Sequence, residues 1–217
     1  MTEIETETAY DVDSRAVFDS QVATLVGKGY PAFAGLTDHE FAQLLAPLRD
    51  QASALPARPA GDERIPFVLV VTGHLVGRNE AIAQAQLQGK PGFTTMEPDD
   101  LARFAPLPDL ELPSPNAYLL IDVDTGRETL DVPPDDAMPK ILAAGRSPLT
   151  VDEGIALITH HPEVLLTGSR FSMLGSRCGD RRVTAIWVSQ SRPRLGWCWA
   201  GAPHTWLGSA SCGGRVG

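Results

Sequence analysis

The chain has 217 residues, 43% of them hydrophobic and 21% charged, and a formal net charge of −9. This composition is typical of a globular protein, and no apolar run reaches the length of about eighteen residues that a membrane span requires. The negative charge argues against nonspecific binding to DNA or RNA, because it repels phosphate. The acidic N-terminus lacks the pattern of a secretion signal, so we expect a cytoplasmic protein with reduced thiols and no membrane partner.

The N-terminal part of the chain predicts a short tail followed by two helices. Residues 1–13 are rich in acids and threonine, which predicts a disordered tail, and a single domain is expected over residues 14–217. Ser14 is a candidate cap for a helix over residues 15–28. The segment Thr-Asp-His-Glu at 37–40 has the pattern of a capping box, so a second helix should begin there.

The middle of the chain predicts two buried strands among short helices. Segments 65–72 and 117–124 are short apolar runs with several β-branched residues, which is typical of buried strands. Proline, capping residues and apolar spacing predict helices at 79–88, 96–104, 134–144 and 150–160. His160 and His161 end the last of these, where we expect a favourable interaction with the helix dipole.

After Phe171 the pattern changes to short strands, at 183–189 and 195–200. Together these elements predict an α+β fold, with helices mainly N-terminal and central and short antiparallel strands in the C-terminal third. Residues 170–217 carry seven arginines and one aspartate, a charge of +6, and they contain every cysteine and every tryptophan of the chain. We therefore expect the functional region to lie within residues 170–217.

Several sequence blocks resemble those of an uncharacterised family of actinobacterial proteins. The blocks are GKPGF at 89–93, LIDVDTG at 120–126, GRSPLT at 145–150, GSRCGDRR at 175–182 and the segment 195–212. The resemblance covers roughly residues 60–215 and is most specific in the last block. It implies a bacterial protein whose family is known only as a domain of unknown function, and it implies no particular reaction.

Three thiols and one imidazole in the C-terminal region match the ligand set of a structural zinc site. These residues are Cys178, Cys198, His204 and Cys212. No Cys-x-x-Cys pair is present to preorganise two ligands, so buried, inert cysteines are the alternative. Strand alternation would place Cys198 on one face of a strand and Trp197 and Trp199 on the other.

The same region also suggests a cysteine nucleophile. Cys178 lies in a glycine-flanked loop with three arginines, which would lower the pKa of its thiol. His204 is the candidate base, and Asp180 or Asp152 could orient it. Whether the protein is an enzyme stays open at this point.

Anion recognition is the third interpretation of the region. The candidate ligand-binding arginines are Arg177, Arg181 and Arg182, and the candidate apolar wall consists of Trp197, Trp199 and Trp206. The leading hypothesis is a protein that binds or acts on a small anionic ligand where these guanidinium, thiol and imidazole groups line one concavity. The alternative is an interaction or regulatory protein in which the arginines pair with acids and the Cys/His/Trp cluster is structural, with or without zinc. The oligomeric state stays open.

Overall fold

The computed structural model describes residues 13–56, 63–166, 168 and 170–217. Over these residues the chain forms eight α-helices, one 3-10 helix and fourteen strands, which confirms the predicted α+β class. The predicted disordered tail lies outside the described residues except for its last position. The 3-10 helix is Arg127–Thr129.

The helices are concentrated in the first three quarters of the chain, as predicted. In chain order they are α1 (Ser14–Gly27), α2 (Tyr30–Phe33), α3 (Asp38–Ser53), α4 (Arg78–Gln84), α5 (Pro98–Ala102), α6 (Pro134–Ala143), α7 (Val151–His160) and α8 (Glu163–Leu166). Of these, α4 and α5 are shorter than the helices predicted at the same places. The chain after α4 forms a strand instead of continuing the helix to residue 88.

The strands are mostly short. They are β1 (Ile65–Val71), β2 (Gln86–Leu87), β3 (Lys90–Pro91), β4 (Phe93–Thr94), β5 (Ala105–Pro106), β6 (Ala117–Val123), β7 (Ser147–Pro148), β8 (Phe171–Met173), β9 (Ser176–Arg177), β10 (Arg182–Ser189), β11 (Arg192–Trp199), β12 (Gly208–Ser209), β13 (Ser211–Cys212) and β14 (Gly214–Val216). The two strands predicted in the middle of the chain correspond to β1 and β6.

Local capping explains where the N-terminal helices begin. Asp13, and not the predicted Ser14, caps α1, because its carboxylate accepts bonds from two backbone N–H groups of the first turn at 3.0 and 3.3 Å. The capping box before α3 is confirmed, since Thr37 and Glu40 each bond the other's backbone. α3 continues through Pro47, where the missing N–H removes only one bond of a sixteen-residue helix.

An antiparallel sheet of order β1-β6-β14 forms one half of the fold. α1 and α7 contact β1, and α3 contacts β6. The inner residues of β1 and β6 are buried consecutively and not alternately. This two-sided burial is the physical reason that both segments read as continuous apolar runs.

The second sheet has the order β12-β8-β10-β11-β4. β10 and β11 form an antiparallel hairpin joined by Gln190 and Ser191, whose φ angles are 54° and 58°. Two residues at positive φ are typical of a type I′ turn. The sequence predicts a strand at 195–200, but β11 already begins at Arg192, so the strand starts earlier than predicted. The outer pairs β11–β4 and β8–β12 are parallel.

Aliphatic and phenylalanine side chains, and not tryptophan, dominate the core. The main cluster of buried residues extends along the chain from Phe18 to Cys212, and a smaller one joins α6 to β10. Trp197, Trp199 and Trp206 are 37%, 54% and 41% exposed. These three large side chains therefore lie at the surface and do not pack in the core.

Buried ion pairs attach the basic C-terminal strands to the acidic part of the chain. Arg215 of β14 donates to Glu153 of α7 at 2.5 and 2.9 Å, and Tyr118 donates its O–H to the same carboxylate at 2.8 Å. Arg182 of β10 likewise donates to Asp100 of α5 at 2.7 and 2.9 Å, in a partly buried pair. These contacts are of the kind expected if C-terminal arginines pair with acids in the body of the protein.

The expected role of His160 at the end of α7 is wrong. Its Nε2 lies 3.0 Å from the carbonyl oxygen of Leu69 in β1, and its side chain is partly buried. Burial lowers the pKa of His160 to about 3, so the imidazole is neutral at pH 7 and carries no charge for the helix dipole. Its neighbour His161 instead lies 3.0 Å from the carboxylate of Glu163.

Candidate functional site

The four predicted zinc ligands do not come together as a metal-binding group. Cys178 follows β9, Cys198 lies in β11, and Cys212 lies in β13, which pairs with β7 and belongs to a different sheet. Within residues 13–56, 63–166, 168 and 170–217, no three side chains of the ligand types histidine, cysteine, aspartate or glutamate are grouped so that they could hold a metal ion. The zinc hypothesis therefore gains no support, and the three thiols are free.

Cys178 does not have the environment expected of a nucleophile. It is only 7% exposed, and its thiol donates to Oδ1 of Asp180 at 3.1 Å. Burial and this carboxylate raise the pKa of the thiol, which is opposite to the expected direction. The reactive thiolate is therefore disfavoured at pH 7.

Two of the three candidate anion-binding arginines already have carboxylate partners. Arg182 donates to Asp100 at 2.7 and 2.9 Å, and its guanidinium lies between the rings of Phe104 and Trp197, 5.5 and 5.4 Å from their centroids. Arg181 donates to a carboxylate of α6 at 3.2 Å. A ligand anion would have to displace these bonds.

Arg177 and His204 are the members of the predicted site that keep a spare polar atom. Nη1 of Arg177 and Nε2 of His204 are both buried without a hydrogen-bond partner among the described residues. Burial lowers the pKa of the Arg177 guanidinium. The His204 ring packs 5.4 Å from that of Trp206, which in turn packs edge-on against Trp187 at 6.3 Å.

The remaining tryptophans lie on the opposite face of the same sheet. The register pairs Trp197 with Thr184 and Cys198 with Val183, which puts the tryptophan and the cysteine on opposite faces, as alternation predicts. Trp197 and Trp199 pack against each other at 5.0 Å. The aromatic, imidazole and thiol groups are thus divided between two faces and do not line the single concavity that the sequence suggested.

A cleft of about 630 Å³ lies in a different part of the molecule. Its walls are the loop after β1, the first turn of α4, helix α5 and the proline-rich segment 106–115, and Asp152 reaches it from the first turn of α7. The sequence interpretation did not place a site here. The volume is within the range of small-molecule sites, roughly 300–1,000 Å³.

An ion pair between Arg78 and Asp152 forms the floor of this cleft. Nε of Arg78 donates to Oδ1 of Asp152 at 2.6 Å, and the two side chains are 15% and 12% exposed. Nη1 of Arg78 donates to the carbonyl oxygens of Leu101 and Phe104 at 3.1 and 2.9 Å. A Cβ atom at Gly73 would lie 3.4 Å from both Nε and Oδ1, so this glycine leaves the pair open to the cleft. Through these bonds Arg78, which lies in α4, connects this helix to α7 and to the end of α5.

The cleft combines apolar walls with a polar floor and rim. The walls include leucine, alanine and proline side chains, whereas His74, Asn79 and Glu80 lie at the rim. Apart from His74, the charged groups of the lining are one guanidinium, from Arg78, and two carboxylates, from Asp152 and Glu80. Each carboxylate oxygen can accept two bonds, so Asp152 keeps acceptor capacity beyond its bonds to Arg78.

Sequence reasoning missed this site because its parts are distant along the chain. Arg78 and Asp152 are 74 residues apart, and no spacing rule connects them. Asp152 had been considered only as a group that could orient His204. The available signal was weak: the capping box at Thr150 places Asp152 in the first turn of a helix, where a carboxylate is common for reasons unrelated to binding.

The fold and the cleft define a mixed α+β protein with an apolar-walled cleft and an ion pair at its floor. Residues 24–217 match the model of DUF5701, a family of unknown function, and the chain belongs to that family. The resemblance to an uncharacterised family is thereby confirmed. No curated protein and no solved structure matches the chain. In the part of the chain that the structure describes, every helix is too short or too polar to cross a bilayer.

Proposed function

We propose that this protein binds a small amphipathic molecule in the cleft above Arg78 and Asp152. The observation that carries the proposal is the position of a largely buried ion pair at the floor of an apolar-walled cleft of about 630 Å³. Ligand sites are typically apolar cavities with a few convergent polar groups. The sequence predicts small-molecule binding within residues 170–217. We keep small-molecule binding as the proposed function, but we propose this cleft as the binding site.

The charges of the cleft favour an uncharged or cationic polar group on the ligand. Its lining has more carboxylate than guanidinium charge, and the guanidinium of Arg78 already donates to Asp152 and two carbonyl groups. A ligand hydroxyl or amine can donate to the remaining lone pairs of Asp152, while its apolar body contacts Pro106 and Leu112 on the walls. The anionic ligand that the arginine-rich region suggested is not favoured in this cleft.

A pair of matched variants tests the proposal. Ala102 is an exposed residue at the end of α5 and lines the cleft, whereas Ala143 is an exposed residue at the end of α6 and lies outside it. A library of neutral and amine-bearing aromatic compounds is screened against the wild type by thermal shift. A compound present at 100 times its Kd should stabilise the folded state by about 2.7 kcal/mol.

Ala102→Trp should obstruct the cleft and reduce or abolish this stabilisation, and Ala143→Trp should leave it unchanged. Binding that persists in Ala102→Trp would refute the cleft as the site. A library without any compound that stabilises the wild type would also count against small-molecule binding of this chemistry.

A second candidate function is self-association through the exposed tryptophans. The specific observation is that Trp197 and Trp199 pack against each other while keeping 37% and 54% of their surface exposed. Exposed aromatic clusters are enriched at protein interfaces. Sedimentation velocity should then show a concentration-dependent dimer that Trp199→Ser abolishes, and a wild type that stays monomeric at high concentration would exclude this candidate.

A further inference from the structure

A second, smaller recess of about 110 Å³ lies between the turn after β6 and the residue that precedes β8. Arg127 and Arg170 both line it, together with Gly126, Gly168 and Gly208. We propose that these two arginines bind one tetrahedral oxyanion, either inorganic phosphate or the phosphate group of a monoester. The recess shares no residue with the cleft of about 630 Å³, so the proposal does not depend on the function proposed for that cleft.

The side chains of Arg127 and Arg170 have weaker contacts within the protein than the arginines that form buried ion pairs. The side chain of Arg170 forms no hydrogen bond or ion pair with any residue in the described part of the chain. Arg127 pairs with Glu63 at 3.4 Å, and these side chains are 56% and 83% exposed. An exposed pair of this kind contributes at most about 1 kcal/mol. In contrast, Arg182 and Arg215 are bonded to carboxylates at distances below 3 Å.

The backbone that carries the two arginines is held firmly at the floor of the recess. A Cβ atom added to Gly126 would lie 2.2 Å from the carbonyl oxygen of Ser209, so the two segments touch backbone to backbone. Thr129 locks this contact, because its hydroxyl donates to Gly126 O at 2.7 Å and accepts from Ser209 N–H at 2.8 Å. The carbonyl oxygen of Arg170 accepts from Gly208 N–H at 2.9 Å. These contacts fix the backbone next to each arginine.

The size and chemistry of the recess select the ligand class. At about 110 Å³ the recess is smaller than typical small-molecule sites of roughly 300–1,000 Å³, which suits a tetrahedral oxyanion better than a nucleoside. Guanidinium groups offer paired N–H donors that match phosphate oxygens. The nearby carboxylate of Asp124 accepts from the Gly126 N–H at 2.7 Å. The carboxylate of Glu63 is exposed, so its ion pair with Arg127 is weak and a stronger acceptor can displace it.

Titration calorimetry on the full chain tests the proposal, with inorganic phosphate and phosphoserine as probes at constant ionic strength. Arg170→Gln and Arg127→Gln should each weaken binding by at least about tenfold, equivalent to about 1.4 kcal/mol. Arg170→Lys should fall between Arg170→Gln and the wild type, because it keeps the charge but loses the paired donors. The control is Arg181→Gln, which removes an arginine that is 74% exposed and lies outside the recess.

The two probes distinguish the source of the anion. Tighter binding of inorganic phosphate would identify a site for the free ion, and tighter binding of phosphoserine would identify a site for a phosphate carried on a larger molecule. The proposal is overturned if the wild type shows no saturable binding of either probe. It is equally overturned if Arg170→Gln, shown to be folded by circular dichroism, binds with wild-type affinity, or if Arg181→Gln weakens binding as much as Arg170→Gln.

Discussion

Removal of Arg215 is expected to be among the most destabilising single changes in this protein. Its guanidinium and the Glu153 carboxylate are 6% and 0% exposed, and two bonds of 2.5 and 2.9 Å join them. Arg215→Met keeps most of the apolar stem but leaves the carboxylate buried without its cation. Breaking one partner of such a pair typically costs about 3–5 kcal/mol.

The remaining contacts of Glu153 place the expected loss near the lower end of that range. Tyr118 O–H and Thr150 N–H still donate to the carboxylate, at 2.8 and 2.7 Å. We therefore expect Arg215→Met to lower the free energy of unfolding by about 3 kcal/mol, a large part of the total for a domain of about 5–15 kcal/mol. Urea unfolding followed by tryptophan fluorescence measures this change.

The control and a double variant make this prediction sharper. Arg181→Met removes an exposed ion pair of 3.2 Å and should change stability by less than about 1 kcal/mol. Glu153→Gln removes the negative charge, so its combination with Arg215→Met should be less destabilising than the sum of the two single changes. If the two changes in the free energy of unfolding are strictly additive, or if Arg215→Met lowers it by less than about 1 kcal/mol, the inference that Arg215→Met leaves an unpaired buried carboxylate is refuted.

Three further outcomes can be tested. The pKa of His160 is lowered to about 3 in the folded protein, whereas that of an unfolded histidine is about 6.5. As the pH falls below about 6.5 the unfolded chain binds this proton first, so the free energy of unfolding decreases by up to about 1.4 kcal/mol per pH unit. His160→Gln should make stability less dependent on pH in this range. Burial raises the pKa of all three thiols, so iodoacetamide at pH 7.5 should label them slowly until urea is added, and rapid native labelling would contradict this. Gly126→Ala should lower the melting temperature more than Gly89→Ala, because both have positive φ but only Gly126 meets backbone at 2.2 Å; equal effects would argue against the close contact.

Several elements could be predicted because their signals are local. β1 and β6 are continuous apolar runs, and a strand buried on both faces requires this pattern. The helices α3 and α7 begin at capping boxes, where two residues three positions apart satisfy each other's backbone groups. The strands β10 and β11 were predicted, but not the two-residue turn between them at Gln190 and Ser191, because neither residue is a typical carrier of positive φ.

The candidate sites could not be predicted in the same way. An arginine-rich segment indicates charge, but it does not show which arginine will meet a carboxylate. Arg182 and Arg215 are neutralised by acids distant in sequence, while Arg127 and Arg170 are left with weak contacts or none among the described residues. The raised pKa of Cys178 likewise depends on burial, which its glycine-flanked sequence did not reveal.

Residue order along the chain was therefore enough to establish the α+β class, the family resemblance and the positions of most helices and of the four longest strands, since capping and apolar periodicity act over a few residues. Tertiary packing alone decided that Arg78 and Asp152 share the floor of a cleft and that the C-terminal thiols are separate. Burial and ion pairing are set by neighbours many residues away, and these neighbours determine both the pKa of a group and its access to a ligand.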